Sequence, residues 1–98
     1  MTSRKRIGAV AALAGLPLWR AVEGRDAIAR DFRFPDFAGA FAFMTATAAE
    51  AERLDHHPEW RNIYDRVEVI LTTHSTGGVS ALDVALATLM DETVTRFC

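Results

Sequence analysis

Cysteine and proline are scarce in this chain, and neither sign of charge dominates. The 98 residues include one cysteine, Cys98, which excludes an internal disulfide and is typical of a reducing compartment. The 11 basic and 13 acidic residues give a formal net charge of −2, so the chain lacks the basic surface that binds DNA or RNA directly. No apolar run is long enough to cross a bilayer. We therefore expect a cytoplasmic protein that binds neither nucleic acid nor membrane.

The length permits one domain with a modest core. Half of the residues (50%) are hydrophobic, and a domain this small often gains stability by self-association, which favours a homodimer or a homotetramer. Residues 4–6 are basic and precede an apolar stretch, as at the start of a secretory signal, but Gly15 and Pro17 interrupt that stretch. We therefore favour a disordered basic tail over residues 1–6 and a single domain over residues 7–98.

The first third of the chain predicts a short helix followed by a hairpin. The helix covers Ile7 to Leu16 and ends before Pro17, which removes a backbone donor. Two strands follow, Trp19 to Val22 and Ala27 to Phe34, and the polar residues around Gly24 form the turn between them.

A longer helix then begins after Asp36, which is placed to cap its first amides. Apolar residues recur at intervals of three and four, which predicts the core-facing stripe Phe37, Phe41, Met44, Ala48 and Ala51. Further apolar residues beside this stripe leave room for a contact between subunits. We expect Pro58 to end this helix.

Two more strands and a last helix complete the predicted order. Residues 62–73 are rich in β-branched and apolar residues and predict a short third strand and a longer fourth, with Val67, Val69 and Leu71 facing the core. Ser80 and Asp83 form a near capping box for a helix that runs to about Val94. There is no glycine fingerprint for nucleotide binding and no internal repeat.

All three histidines lie in or just after one segment, at His56, His57 and His74. Imidazole is the side chain that exchanges protons near neutral pH, so the cluster indicates proton-transfer chemistry. Glu52 precedes His56 by four residues at the end of the long helix, and we expect its carboxylate to orient that imidazole. A metal site built from the histidines and Glu52 is the alternative, but no metal-ligand spacing such as His-Glu-x-x-His is present.

Several neighbouring side chains have a purely structural alternative. Glu52 and Asp55 can be solvated helix charges, and His57 can interact with the helix end. Asp83 taken alone is typical of a carboxylate in the first turn of a helix.

The chain resembles the pterin-4a-carbinolamine dehydratase family over most of its length. The resemblance is carried by residues 52–60, 62–64 and 71–74, by Gly78, Ser80 and Asp83, and upstream by Trp19 and residues 23–28 and 41–45. His-His-Pro alone would be a weak signal. Tyr64, His74 and Asp83 at these spacings make the match specific.

The resemblance implies an α+β fold in which three helices pack on one face of a four-stranded antiparallel sheet, in the order α-β-β-α-β-β-α. It implies a dehydratase that converts a 4a-hydroxytetrahydropterin to a quinonoid dihydropterin and water, with no metal or organic cofactor. Such an enzyme serves aromatic amino acid hydroxylases by recycling their oxidised pterin. Relatives form dimers through the sheet, and some form tetramers through the long helices.

The resemblance also implies roles for particular residues. His56 and His74 would be the acid and base, and His57 would bind or orient the pterin. The implied substrate-binding and supporting residues are Glu52, Asp55, Trp19, Thr73 and Asp83, with Glu52 or Asp55 positioning the histidines, Trp19 walling the pocket and Asp83 supporting it from behind.

A binding module on the same fold is the alternative function. Some relatives in this family act as dimerisation partners of transcription regulators. Retention of His56, His57 and His74 favours catalysis, because a scaffold has no need for the three imidazoles.

Overall fold

Four strands and three helices follow one another in the order that the periodicity predicted. The structure is a computed structural model that describes residues 4–98. Its elements are α1 (Ala9–Leu13), β1 (Arg20–Ala21), β2 (Ile28–Arg33), α2 (Phe37–Leu54), β3 (Glu59–Ile63), β4 (Arg66–Leu71) and α3 (Ala81–Val94), with a turn of 3-10 helix at His74–Thr76 before α3. None of the helices in this part of the chain is long and apolar enough to span a membrane. The predicted α+β fold class and element order are confirmed.

The strands form one antiparallel sheet in the order β1-β2-β4-β3. Alternate residues of β4 point toward the helices, and Val67, Val69 and Leu71 are buried there as predicted. Arg66 and Glu68 lie on the other face, where their side chains form an ion pair of 3.1 Å. The sheet therefore has one face covered by helices and one open, charged face.

α2 buries a stripe that overlaps the predicted one only at Ala51 and at the partly buried Met44, and Ala48 is exposed. Phe37 and Phe41 were expected in the core but are 47% and 53% exposed. The buried residues are Ala40, Phe43, Thr47 and Ala51. The small residues of this stripe let α2 approach its neighbours closely, while the ring of Phe43 packs 4.7 Å from that of Phe32. Periodicity did not distinguish the two stripes because both are rich in apolar residues at helical spacing.

α2 also ends earlier than predicted. Its last residue is Leu54, because Asp55 adopts the left-handed conformation with φ 50° and its amide donates back to the carbonyls of Ala51 and Glu52. Residues 55–58 therefore form a loop, and Pro58 stands directly before β3 rather than at the helix end.

The disordered basic tail over residues 1–6 stays a prediction, since residues 1–3 lie outside the described part of the chain and the structure describes residues 4–6 only in their contacts with the domain. Arg6 pairs with Ser80 in an isolated bridge, and its Nε donates to the Asp26 carboxylate at 2.6 Å. The Arg4 guanidinium donates to the Asp55 carbonyl at 2.9 Å. The amides of residues 7 and 8 both donate to the Val79 carbonyl. These polar contacts hold the segment against the end of α2, the β1–β2 turn and the loop that precedes α3.

Candidate active site

The three histidines line one cleft of about 320 Å³ at the edge of the sheet. β3 and β4 are antiparallel neighbours with Glu59 opposite Ile70, so the loop before β3 meets the loop after β4. His56 and His57 lie on the loop before β3, and His74 lies just after β4. Strand pairing therefore joins two segments that are distant in sequence.

His56 is the buried member of the set, with 6% of its side chain exposed. Its Nε2 lies 2.5 Å from Oδ1 of Asp83, whose side chain is fully buried at the start of α3. The other Asp83 oxygen accepts hydrogen bonds from the Thr73 hydroxyl at 2.8 Å and the Ser80 amide at 2.9 Å. A carboxylate that has lost its proton only accepts hydrogen bonds, so a pairing of this kind requires a proton on Nε2 of His56 and leaves Nδ1 as the nitrogen to exchange one.

Asp83 makes two kinds of contact. It completes the capping box of α3 with Ser80, and it holds His56. Thr73 is almost wholly buried, and its hydroxyl contacts the Ser80 hydroxyl at 2.7 Å as well as Asp83. It lines the cleft while its polar group supports the carboxylate behind His56.

His57 pairs with Glu52, which corrects the expected contact between Glu52 and His56. The His57 Nε2 lies 2.5 Å from Oε1 of Glu52, and both side chains are largely exposed. Helical spacing would have placed Glu52 beside His56, but the reversal at Asp55 turns the chain before that residue. The carboxylate consequently meets the next histidine.

His74 pairs with Glu59, a residue that the sequence reasoning missed. The His74 Nε2 lies 2.8 Å from Oε2 of Glu59. Arg25 donates to both oxygens of the same carboxylate, at 2.9 and 2.8 Å. These hydrogen bonds from Arg25, followed by the one from His74, lower the pKa of Glu59 from 4.5 to about 2. The only signal in the sequence was the position of Glu59 beside Pro58 in the matched segment.

The remaining predicted residues divide between the cleft and the core. Asp55 lines the cleft with an exposed carboxylate, 3.6 Å from the Arg4 guanidinium. Trp19 does not belong to the cleft wall, which corrects that expectation. It is 5% exposed, packs edge-on to Phe32, and donates its indole N–H to Asp91 of α3 at 2.9 Å. Its part is to join the sheet to a helix in the core.

Within residues 4–98, no three His, Cys, Asp or Glu side chains lie close enough to hold a metal ion together. Each histidine is paired instead with a separate carboxylate.

A larger hollow of about 430 Å³ lies on the open face of the sheet. Its charged side chains pair with one another, as in the contacts of Arg61 with Glu68 at 2.6 Å and of Arg20 with Asp31 at 3.5 Å. No histidine lines it. The smaller cleft is the candidate site because it collects the groups that exchange protons near neutral pH.

Comparisons with known proteins identify one family over most of the chain. The family described as Pterin 4 alpha carbinolamine dehydratase matches residues 4–93. Relatives from Rhodopseudomonas palustris (strain HaA2) and Paraburkholderia xenovorans (strain LB400), both named "Putative pterin-4-alpha-carbinolamine dehydratase", are 55% and 50% identical. The first match covers 99% of this chain and 93% of the relative, and the second covers 93% and 92%.

Two solved structures share the fold. A transcriptional coactivator/pterin dehydratase from Brucella melitensis is 50% identical with a TM-score of 0.84, over 87% of this chain and 90% of that one. A pterin dehydratase-like protein identified as a RuBisCO assembly factor in the alpha-carboxysome is 25% identical with a TM-score of 0.67, over 78% and 88%. On the extent of these matches, the chain belongs to the pterin-4a-carbinolamine dehydratase family.

Proposed function

We propose that this protein is a 4a-hydroxytetrahydropterin dehydratase that works by histidine acid/base catalysis without a metal or organic cofactor. The observation that carries the proposal is the convergence of His56, His57 and His74 on one cleft, each imidazole oriented by its own carboxylate. The membership of the chain in the dehydratase family supplies the substrate class.

The reaction needs one proton donor and one proton acceptor. Hydroxide is a poor leaving group, so an acid protonates the C4a hydroxyl as the lone pair of N5 forms the new double bond and the C4a–O bond breaks. A base then takes the proton from N5. The products are water and a neutral quinonoid dihydropterin, and the two protein groups have exchanged one proton overall.

His56 and His74 are the proposed acid and base. They line the same cleft from two segments of the chain, His56 from the loop before β3 and His74 from the turn after β4, so a bound pterin ring has both imidazoles within the cleft. Asp83 holds Nε2 of His56 and Glu59 holds Nε2 of His74, which leaves the Nδ1 atom of each ring to exchange the proton. His57 binds the pterin near its hydroxyl, with Glu52 orienting the imidazole and Asp55 at the rim.

The proposed setting is the recycling of pterin for an aromatic amino acid hydroxylase, by a homo-oligomer. The carbinolamine is the oxidised pterin that a pterin-dependent hydroxylase releases. Its dehydration is the first step in recycling that pterin to the form the hydroxylase uses. The exposed aromatic rings of Phe37 and Phe41 on α2 support the formation of dimers or tetramers, because they offer an apolar surface for contact between subunits.

A stopped-flow assay of 4a-carbinolamine decay tests the proposal. The wild-type protein should accelerate decay above the spontaneous rate, and His56→Ala and His74→Ala should each lower kcat by about 10²-fold or more, the contribution typical of a positioned acid or base. Arg61→Gln, which removes an ion pair on the open face of the sheet, is the matched control and should keep full activity. Wild-type decay at the spontaneous rate would end the enzymatic proposal.

A binding function is the second candidate, and it is favoured by the names of the two solved structures. A scaffold would keep its assembly and its partner whichever histidine is replaced. Loss of dehydration in His74→Ala with unchanged oligomeric mass supports catalysis, whereas an inactive wild type that still assembles supports the scaffold.

A further inference from the structure

Glu59 connects three separate segments of the chain. It is the first residue of β3, Arg25 lies in the turn between β1 and β2, and His74 begins the 3-10 turn after β4. Arg25 binds both carboxylate oxygens, and Oε2 also contacts the imidazole Nε2 of His74. The carboxylate is thus shared between a guanidinium and a proposed catalytic imidazole.

The shape of this contact limits how the His74 ring can turn. A two-point contact with a planar guanidinium fixes the plane of the carboxylate. The His74 side chain is 75% exposed, so packing contributes little to its orientation. The hydrogen bond to Glu59 is then the principal constraint on the ring.

The turn that carries Arg25 is itself held from several sides. Asp26, the next residue, accepts hydrogen bonds on its carboxylate from the Arg6 side chain at 2.6 Å and the Ala9 amide at 2.7 Å. Its carbonyl accepts a hydrogen bond from the Thr72 hydroxyl at 2.8 Å. Thr72 lies in the same loop as His74, so Arg25 is anchored to the segment that it helps to order.

We propose that Arg25 and Glu59 are a positioning pair for His74, in which Arg25 fixes the Glu59 carboxylate and Glu59 holds the Nε2–H so that Nδ1 is presented for proton exchange. The effect on turnover rests on the proposed dehydratase function. The effect on the ring itself does not depend on that function.

The 15N chemical shifts of the His74 imidazole report which ring nitrogen carries the proton and whether it is hydrogen-bonded. They are measured in the full-length protein at a pH where the ring is neutral, and are assigned by comparison with His74→Gln. In the wild type the Nε2 shift should be that of a protonated, hydrogen-bonded nitrogen. Glu59→Gln and Arg25→Gln should bring the two ring-nitrogen shifts toward those of free imidazole. Arg25→Lys keeps the charge without the two-point contact and should give intermediate shifts. Arg61→Gln, which removes an Arg–Glu pair from the same strand, should leave them unchanged.

Turnover gives the second measurement. In Glu59→Gln and Arg25→Gln, kcat should fall roughly tenfold with KM changed less than about twofold, because the imidazole remains but its orientation does not. Arg25→Lys should recover part of the loss, which a merely structural role for Arg25 would not produce.

Unchanged His74 shifts in Glu59→Gln would overturn the positioning pair, as would an equal loss of kcat in the Arg61→Gln control. If Arg25→Gln fails to fold, Glu59→Gln and Arg25→Lys still decide the result. If the wild type has no dehydratase activity, the proposed function fails while the imidazole shifts still test whether Arg25 and Glu59 order the ring.

Discussion

Each histidine is tied through Nε2 to its own carboxylate, yet the three carboxylates are held very differently. Asp83 is fully buried and accepts two further hydrogen bonds from the protein. Glu59 is shared with Arg25. Glu52 has a side chain that is 78% exposed. Because water competes least with buried contacts, the Asp83 pair should contribute most to folding and the Glu52 pair least.

Asp83→Asn tests the buried pair. The amide keeps the shape of the side chain but loses the charge that accepts from His56, Thr73 and Ser80. We expect the free energy of unfolding to fall by about 1–3 kcal/mol and kcat to fall with it, as measured by urea denaturation and by carbinolamine decay.

Asp55→Asn is its matched control, because that carboxylate is 89% exposed at the rim of the same cleft. Its stability should stay within about 0.5 kcal/mol of wild type. Equal destabilisation by the two variants would contradict the importance of the buried network.

The lowered pKa of Glu59 predicts a stability change in acid. The folded-state pKa of about 2 lies below the ordinary 4.5, so this stabilisation is fully present above about pH 4.5 and is lost as the pH falls toward 2. The difference in urea midpoint between wild type and Glu59→Gln should be largest near pH 6 and shrink through that range.

The stability difference between wild type and Arg25→Gln should shrink through the same pH range, because the hydrogen bonds from Arg25 are the largest cause of the lowered Glu59 pKa and the variant lacks most of this pH-dependent stabilisation. A difference between wild type and Glu59→Gln that stays constant from pH 6 to pH 2.5 would contradict this linkage.

At the scale of elements, the loop between β4 and α3 is pressed against the β1–β2 turn. A Cβ at Gly78 would stand only 2.3 Å from the Asp26 carboxylate and 2.7 Å from Nε of Arg6. Glycine is therefore required by close approach here, rather than by an unusual backbone angle. The same contact region supports the amino-terminal segment and Arg25.

Gly78→Ala should break this contact by displacing Asp26 from Arg6. Overpacking of this kind typically costs about 1–3 kcal/mol, and each kcal/mol corresponds to a fall of roughly 4–8 °C in Tm for a domain of this size. Calorimetry measures the change. Gly15→Ala is the control, since a Cβ there meets nothing within 4 Å. Equal Tm values for the two variants would refute the close packing at Gly78.

At the scale of the whole molecule, α2 leaves an aromatic pair uncovered. The rings of Phe37 and Phe41 are 5.6 Å apart and lie on the side of α2 that faces away from the core. Aromatic rings bury large apolar areas when they pack, so exposure of two neighbours favours contact with another copy of the chain.

Phe41→Lys tests that contact through the oligomeric mass. Light scattering on the eluting protein should show a homo-oligomer for wild type and a smaller species for the variant, because a charge cannot be buried cheaply in an apolar interface. Val10→Lys changes another exposed apolar residue, 87% exposed on α1, and should leave the mass unchanged. Identical masses for wild type and Phe41→Lys would exclude this face from assembly.

The sequence by itself determined the element order, the strand face and the family. The alternation of Val67, Val69 and Leu71, and the capping residues of α3, are local patterns that dictate one regular structure. Histidine is scarce and exchanges protons at neutral pH, so its clustering identified the candidate groups. Local patterns are legible in sequence because neighbouring residues alone produce them.

Only the tertiary structure decided which carboxylate serves which histidine. Helical spacing favoured a contact between Glu52 and His56. Because the chain reverses at the left-handed Asp55, Glu52 contacts His57 instead, and His56 contacts Asp83. Strand pairing places Glu59 beside His74, and Trp19 packs in the core rather than at the cleft. These choices depend on where the chain reverses and on contacts between distant segments, and the spacing of residues along a sequence does not encode either.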